Sequence, residues 1–175
     1  MDIKTATHPP DMKTGIAFII ILSALMAFTS LSTDIYLPAM PAMSAALHGD
    51  SELTVTGFLI GFAIAQLIWG PISDQLGRKT PLYIGMIIFA VGSAGCALSS
   101  DMPQIVFWRV IQAAGACTGP MLARAMIRDL FTRTRAAQML STLIIVMAIA
   151  PIAGPLMGGQ IIRYSQWPVI FWFLA

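Results

Sequence analysis

Five long apolar runs, each closed by polar residues or by Pro and Gly, dominate this 175-residue chain: 15–36, 53–69, 81–98, 103–127 and 139–162. A sixth opens at Trp167 and reaches only Ala175. Each complete run is about as long as a helix that crosses the hydrocarbon core of a bilayer, roughly 20 residues. Lipid offers no water to backbone polar groups, so only helices and closed barrels span it. Ten-residue alternating strands, the mark of a barrel, are absent. With 57% of residues apolar and 10% charged, against about 25% charged in ordinary domains, the chain is too poor in charge to hydrate a globule's surface. The expected fold is an all-α polytopic membrane protein of five complete spans plus the start of a sixth, with no room for a soluble domain. Residues 1–14 form a polar N-terminal segment. The order polar-then-apolar imitates a signal peptide, but the first run exceeds an h-region of about 7–15 residues and lacks a small-residue cleavage site, so it is expected to stay.

Eight of the ten basic residues gather on one side if the runs alternate in direction. Lys4 and Lys13 precede the first run, Arg78 and Lys79 separate the second from the third, and Arg124, Arg128, Arg133 and Arg135 lie at or between the fourth and fifth. The other side has Arg163 together with Asp50, Glu52 and Asp101. The positive-inside rule therefore places the N-terminus in the cytoplasm. Tyr36, Trp69, Tyr83 and Trp167 fall near run ends, where amphipathic rings anchor at the membrane surface.

The tenth base, Arg109, lies about six residues inside the fourth run, roughly 9 Å deep at about 1.5 Å per residue. A lone mid-span arginine costs on the order of 2.5–3.5 kcal/mol on insertion scales and generally faces a bundle interior or a wet cavity. Snorkelling to the near surface is the competing reading. Asp34 is the sole acid within a complete run and lies near the same side of the membrane. Equal depth makes Asp34 and Arg109 candidate partners, each reducing the other's burial cost; the alternative is an Asp34 hydrated at the interface.

Three further patterns stand out. The link 70–82 holds Gly70, Asp74, Gly77, Arg78 and Lys79. It reads as a tight cytoplasmic turn, with Asp74 capping a helix N-terminus and the bases meeting helix C-termini or lipid phosphates. Ala150, Gly154 and Gly158 recur every fourth residue in the fifth run, beside the bending Pro151 and Pro155. Gly57, Gly61 and Ala65 make a similar stripe in the second. Cys96 and Cys117 lie in apolar runs, where thiols behave as small hydrophobes rather than as metal ligands or disulfide partners. The twelve methionines, Met40 and Met43 among them, read as gap-filling rather than as a copper path, and His8 and His48 sit in polar flanks. No metalloprotease, nucleophile-elbow or P-loop motif is present, and no basic cluster with interleaved aromatics. An enzyme, a cofactor, a bound metal and a nucleic-acid partner are therefore not expected.

The 70–82 link resembles the signature loop between the second and third helices of the major facilitator superfamily, G-x-L-a-D-r-x-G-r-k-x-x-l. Gly70, Asp74, Gly77, Arg78, Lys79 and Leu82 match, while Ile72 and Gln75 depart from it. The stretch from Arg109 to Cys117 resembles that superfamily's fourth-helix pattern R-x-x-q-G-x-g-a-a, with Gln112 in place and Ala113 standing for Gly. Asp34-Ile35-Tyr36-Leu37-Pro38-Ala39-Met40-Pro41 is similar to the T-D-x-Y-L-P-A-x-P of drug:proton antiporters of the bicyclomycin/chloramphenicol-resistance (Bcr/CflA) type. The fifth run resembles the antiporter signature g-x-x-x-G-P-x-x-G-G through Ala150, Gly154, Pro155, Gly158 and Gly159.

This resemblance implies the N-terminal half of a major facilitator transporter over residues 15–175: a partial six-helix bundle, built from inverted three-helix repeats and cut within the sixth helix. It further implies proton-coupled efflux of hydrophobic or cationic drugs across a bacterial inner membrane by alternating access. Asp34, Arg109, Gln112, Tyr36 and Gln66 would serve proton coupling and the substrate cavity. Gly70, Asp74, Gly77, Arg78 and Lys79 would latch the halves together, with Asp129 as a local partner of Arg78. The loop and the two small-residue stripes would meet a C-terminal six-helix half. Expected partners are a small-molecule drug, protons, the lipid bilayer and that second half. Two rival readings are a truncated, transport-inactive membrane remnant and a homodimeric half-transporter, the latter disfavoured by an incomplete sixth helix.

Overall fold

The computed structural model describes residues 12–175, with side chains from Phe18 onward. Residues 1–11, with Lys4 and His8, and the Lys13 side chain lie outside the described residues. The described residues are helical apart from short connections: α1 (Met12–Asp34), α2 (Met40–Leu47), α3 (Glu52–Leu76), α4 (Lys79–Ala97), α5 (Met102–Ala116), α6 (Thr118–Leu130), α7 (Arg133–Tyr164) and α8 (Pro168–Leu174). A 3-10 turn, Leu37–Ala39, joins α1 to α2. Five stretches are long and apolar enough to cross a membrane: Phe18–Leu47, Glu52–Leu76, Lys79–Ala97, Met102–Leu130 and Arg133–Tyr164. The all-α, five-span expectation holds, with α8 opening a sixth element.

The surface is inverted relative to a soluble protein. Ile64, Leu67, Ile145 and Ile152 are exposed, while Ser93, Arg109 and Gln112 are buried. Apolar side chains outside and polar ones inside suit a lipid environment, in which the outer face carries no desolvation cost.

Prolines account for most departures from the apolar runs. Pro38 lacks an N–H, and its ring would strike the carbonyl four residues back, that of Asp34. Accordingly α1 ends at Asp34, and the first crossing continues through the 3-10 turn into α2 as far as Leu47, well beyond residue 36. Pro120 likewise withdraws a donor from the Ala116 carbonyl, beside the α5–α6 break. Thr29 of α1 donates its hydroxyl to that carbonyl at 3.1 Å, so a neighbouring helix supplies what the proline removed. Pro71 is carried inside α3, which runs to Leu76 and leaves only Gly77 and Arg78 outside helix before α4. The connection is therefore shorter than the link read from sequence, and Asp74 occupies the last turn of α3 rather than capping a helix N-terminus. Gly77 ends the helix at φ 79°, a backbone region that favours glycine.

The most extensive helix pairs are α4 with α5, α3 with α5, and α1 with α7. Close approach at glycine builds them. A Cβ on Gly92 of α4 would stand 2.6 Å from the Gln112 backbone, and one on Gly61 of α3 would stand 2.9 Å from the Val110 carbonyl. A Cβ on Gly154 would lie 2.8 Å from the Asp34 Cβ, and one on Gly158 would collide with the Ile35 carbonyl. Both small-residue stripes thus pack within this bundle, the second-run stripe on α5 and the fifth-run stripe on the α1 break. That corrects the expectation that they face a second half: lattice-like spacing shows that a backbone approaches, not whose. Two of the four expected surface aromatics are corrected as well. Tyr36 is fully buried, and Trp69 is buried with its indole N–H donating to the Ala114 carbonyl at 2.9 Å. Tyr83 is exposed, as a surface ring would be.

Candidate functional site

Arg109 projects from α5 into the centre of the bundle and is 0% exposed. This removes the snorkelling reading. Its Nη1 donates to Gln112 Oε1 at 2.6 Å, one turn along the same helix face. Gln112 Nε2 donates to Ser93 Oγ of α4 at 2.7 Å, and Ser93 donates its single hydroxyl hydrogen to the Phe89 carbonyl at 2.8 Å. The chain has one workable polarity. Guanidinium can only donate, so the amide oxygen must face Arg109, and the hydrogen of Ser93 is committed, so its oxygen is free to accept from the amide nitrogen. Ser93 thereby orients Gln112, and Gln112 orients Arg109.

Aromatic faces supply the remaining shell. The guanidinium carbon lies 4.1 Å from the Tyr36 ring centroid, 4.5 Å from Phe58 and 5.8 Å from Phe171. Ring quadrupoles stabilise such a cation, by about 2 kcal/mol or more per face when water is excluded. Four segments meet at this charge: the α1 break, α3, α5 and α8. Arg109 Nε, Arg109 Nη2 and the Tyr36 hydroxyl are nevertheless buried without a hydrogen-bond partner. Three guanidinium N–H groups, one on Nε and two on Nη2, beside an unpaired phenol make a buried donor site that lacks an acceptor.

Asp34 does not fill it. The two ion pairs among the described residues both involve Arg78, and none joins Asp34 to Arg109. Asp34 sits on the last residue of α1 against Gly154 of α7, whereas Tyr36, two residues on and past the break, faces α5. Equal depth set the height of the two charges but not their direction around the helix. Asp34 is half-buried, at the seam between α1 and α7.

Gln66 lies elsewhere again, lining a cleft of about 230 Å³ with Thr29, Ser30, Thr33, Phe58, Phe62 and Arg124. Phe58 is common to both places, one ring serving the Arg109 shell and the cleft wall.

A second charged cluster occupies the end of the bundle where α3 meets α4. Arg78 Nη1 bonds Asp74 Oδ1 at 2.7 Å and Ser73 Oγ, while its Nε and Nη2 reach Asp129 Oδ2 at 3.0 and 2.9 Å. Partial burial disfavours the charge of Arg78, but hydrogen bonds to Asp74 and Asp129, with the charges of both, outweigh it and raise its pKa above the ordinary arginine value. Asp129 lies in the last turn of α6, so one guanidinium ties the α3–α4 turn to the end of the fourth crossing. Gly70 has open space around it and Gly77 makes the turn, while Lys79 opens α4 without an ion pair among the described residues. In the fifth-run motif, Ala150, Gly154 and Gly158 are buried, Pro155 is half-buried within α7, and a Cβ on Gly159 would meet nothing within 4 Å.

Sequence reading missed Ser93, Phe58 and Phe171. A lone hydroxyl beside a glycine in the apolar third run is a signal that could have exposed Ser93. Nothing comparable distinguishes Phe58 or Phe171 from other lipid-side aromatics.

Comparison with known proteins agrees with this architecture. Residues 20–175 match the model of the Major Facilitator Superfamily. The chain is 36% identical over 169 residues to an uncharacterized MFS-type transporter, YdgK, of Bacillus subtilis (strain 168), covering 94% of this chain and 42% of that protein. It is 33% identical to a chloramphenicol resistance protein of Pseudomonas aeruginosa, over 91% of this chain and 39% of the relative. It is 29% identical to a bicyclomycin resistance protein homolog of Haemophilus influenzae, over 94% and 42% respectively. The chain thus spans about two fifths of the length of these curated relatives. A helical bundle with five membrane-crossing candidates, matched over nearly its whole length, belongs to the Major Facilitator Superfamily of multi-pass membrane transporters.

Proposed function

We propose that this chain forms the N-terminal half of a proton-coupled exporter of hydrophobic or cationic drugs, working by alternating access across a bacterial inner membrane with its N-terminus in the cytoplasm. The observation that carries this reading is Arg109: a fully buried, permanent charge, held by an amide and three aromatic rings, with Nε and Nη2 unpaired. So costly a group suits a site whose occupancy changes during a cycle. Asp34, half-buried where the end of α1 meets α7, is the proton-responsive group in this scheme. Its contact with Gly154 lets movement of α7 against α1 alter how wet that carboxyl is. Tyr36 and Gln112 hold the arginine, and Gln66 meets substrate in the cleft.

Arg78, with Asp74 and Asp129, acts as the latch that engages the second half, with Gly70, Gly77 and Lys79 shaping the turn. Ala150, Gly154 and Gly158 form the seam on which α7 moves, with Pro155 and Gly159 beside them on the same helix. Relatives named for chloramphenicol and bicyclomycin resistance support the substrate class. The test is Asp34→Asn in the full-length transporter, reconstituted in liposomes with an imposed proton gradient. Loss of gradient-dependent efflux of dansylamide, an uncharged aromatic probe, is expected; unchanged coupling removes Asp34 from the mechanism.

A further inference from the structure

The cleft beside Phe58 has a charge character that Arg109 alone does not reveal. It lies between α1, α3, α6 and α7, and its lining includes Thr33, Phe58, Phe62, Gln66 and Arg124. Arg124 is exposed and makes no ion pair among the described residues. Among the described residues it is the sole charged side chain on the lining, and no carboxylate joins it there. Behind the wall, the Phe58 ring stacks with Phe62 at 6.0 Å on the cleft side and carries the Arg109 guanidinium at 4.5 Å. One cation therefore stands in the cleft and a second lies behind one ring of it. Thr33 spends its hydroxyl hydrogen on the Thr29 carbonyl, which leaves the Arg124 fork, the Gln66 amide and the Ser30 hydroxyl as free donors, the first of them alone charged.

Resting on the reading of this chain as half of a drug exporter, we infer that Arg124 sets substrate class: the cleft prefers aromatic compounds bearing an anionic or strongly accepting group over organic cations. The two phenylalanines take the ring, and the guanidinium takes a carboxylate, sulfonate or carbonyl oxygen through charge-assisted hydrogen bonds. An organic cation in the same place meets like charge on two sides with no acid to offset it. This narrows the range proposed above to its uncharged and anionic members.

The experiment uses three probes with one fluorophore: dansylglycine (anionic), dansylamide (uncharged) and dansylcadaverine (cationic). Binding to the purified full-length transporter is titrated by fluorescence in detergent, and proton-driven efflux is followed in liposomes. Wild type is expected to bind dansylglycine and dansylamide more tightly than dansylcadaverine. Arg124→Gln should weaken dansylglycine about tenfold, the size of one lost charge-assisted hydrogen bond, and leave dansylamide within about threefold. Arg124→Glu should reverse the order in favour of dansylcadaverine. Tighter wild-type binding of dansylcadaverine overturns the inference, as does an equal loss of all three probes in Arg124→Gln. The binding order decides this whether or not a proton gradient drives transport; absence of gradient-driven efflux with the binding order intact overturns the exporter reading instead.

Discussion

Two arginines in this bundle are held in opposite ways. Arg78 keeps 27% of its side-chain surface and bonds two carboxylates; Arg109 has no exposed surface and no carboxylate at all. In the wet position, charge neutralisation is cheap and worth little, about 0–1 kcal/mol per exposed pair. In the dry position a carboxylate would bring its own desolvation cost, and the protein instead presents an amide dipole and aromatic faces. The difference teaches where each can act. The exposed cluster can break and re-form at small cost, whereas the buried charge is fixed by packing among its amide and its rings.

The largest effect expected from breaking this contrast is on transport. Arg109→Met replaces the buried cation by an apolar chain of similar length. Proton-driven efflux in the full-length protein should fall more than a hundredfold, while the unfolding midpoint in detergent stays within the equivalent of about 1–2 kcal/mol, because exchanging a buried charge for a hydrophobe is often neutral for stability. A midpoint collapse with the residual folded protein still active would mean that Arg109 is a packing element only.

Next in size is the seam that fixes the buried side. Gly158→Val drives a branched side chain into the Ile35 carbonyl, which is backbone and cannot step aside. A loss of about 3 kcal/mol or more is expected by thermal unfolding in detergent. Gly159→Val, one position on, meets open space in this bundle and should change stability by only about 0.5 kcal/mol. Equal effects at the two positions would dissolve the proposed α1–α7 seam.

These two cases also mark what a sequence can and cannot tell about such a chain. Length and hydropathy place the crossings because a bilayer imposes one thickness on all of them, and a lone Arg in an apolar run declares itself by its solvation cost. Partners are another matter. Depth can be counted along a helix, but contact also needs the angle around it, and that is set by which glycines let which helices approach. Counting residues paired Asp34 with Arg109, yet Asp34 packs on Gly154, and Gln112, three residues on from Arg109, makes the contact. Trp69 was placed at the surface for the same reason, although its position beside Gly70 says nothing about the Ala114 carbonyl that receives its N–H. Helix ends suffered from a local ambiguity: Pro71 reads as a break, yet α3 passes through it to Leu76.

Ser93 offers a finer test of how the dry site is built. Ser93→Ala removes the acceptor that orients the Gln112 amide, leaving a buried N–H2 unpaired at a cost of about 1–3 kcal/mol. The amide then loses the contact that fixes its plane, so its oxygen no longer holds the guanidinium in one position. Efflux should drop by about tenfold, with the apparent pH midpoint of efflux displaced. Ser93→Thr keeps the hydroxyl and should recover most of the activity. A structural role alone would lower protein yield without moving the pH profile.

The smallest effect belongs to the exposed cluster, and salt is the instrument that separates it from the buried one. At about 1 M ionic strength the screening length contracts to roughly 3 Å, against about 10 Å at 0.1 M. The bonds from Arg78 to Asp74 and Asp129 lie partly in water and should weaken, while the dry Arg109 shell is shielded by its own rings. Arg78→Gln should therefore cost about 0.5–1 kcal/mol in unfolding measurements at low salt and almost nothing at high salt. The penalty of Ser93→Ala should be the same at both. If high salt erased the Ser93→Ala penalty instead, water and ions would have to reach the Arg109 shell, and the division between a wet latch and a dry charge would fail at its buried end.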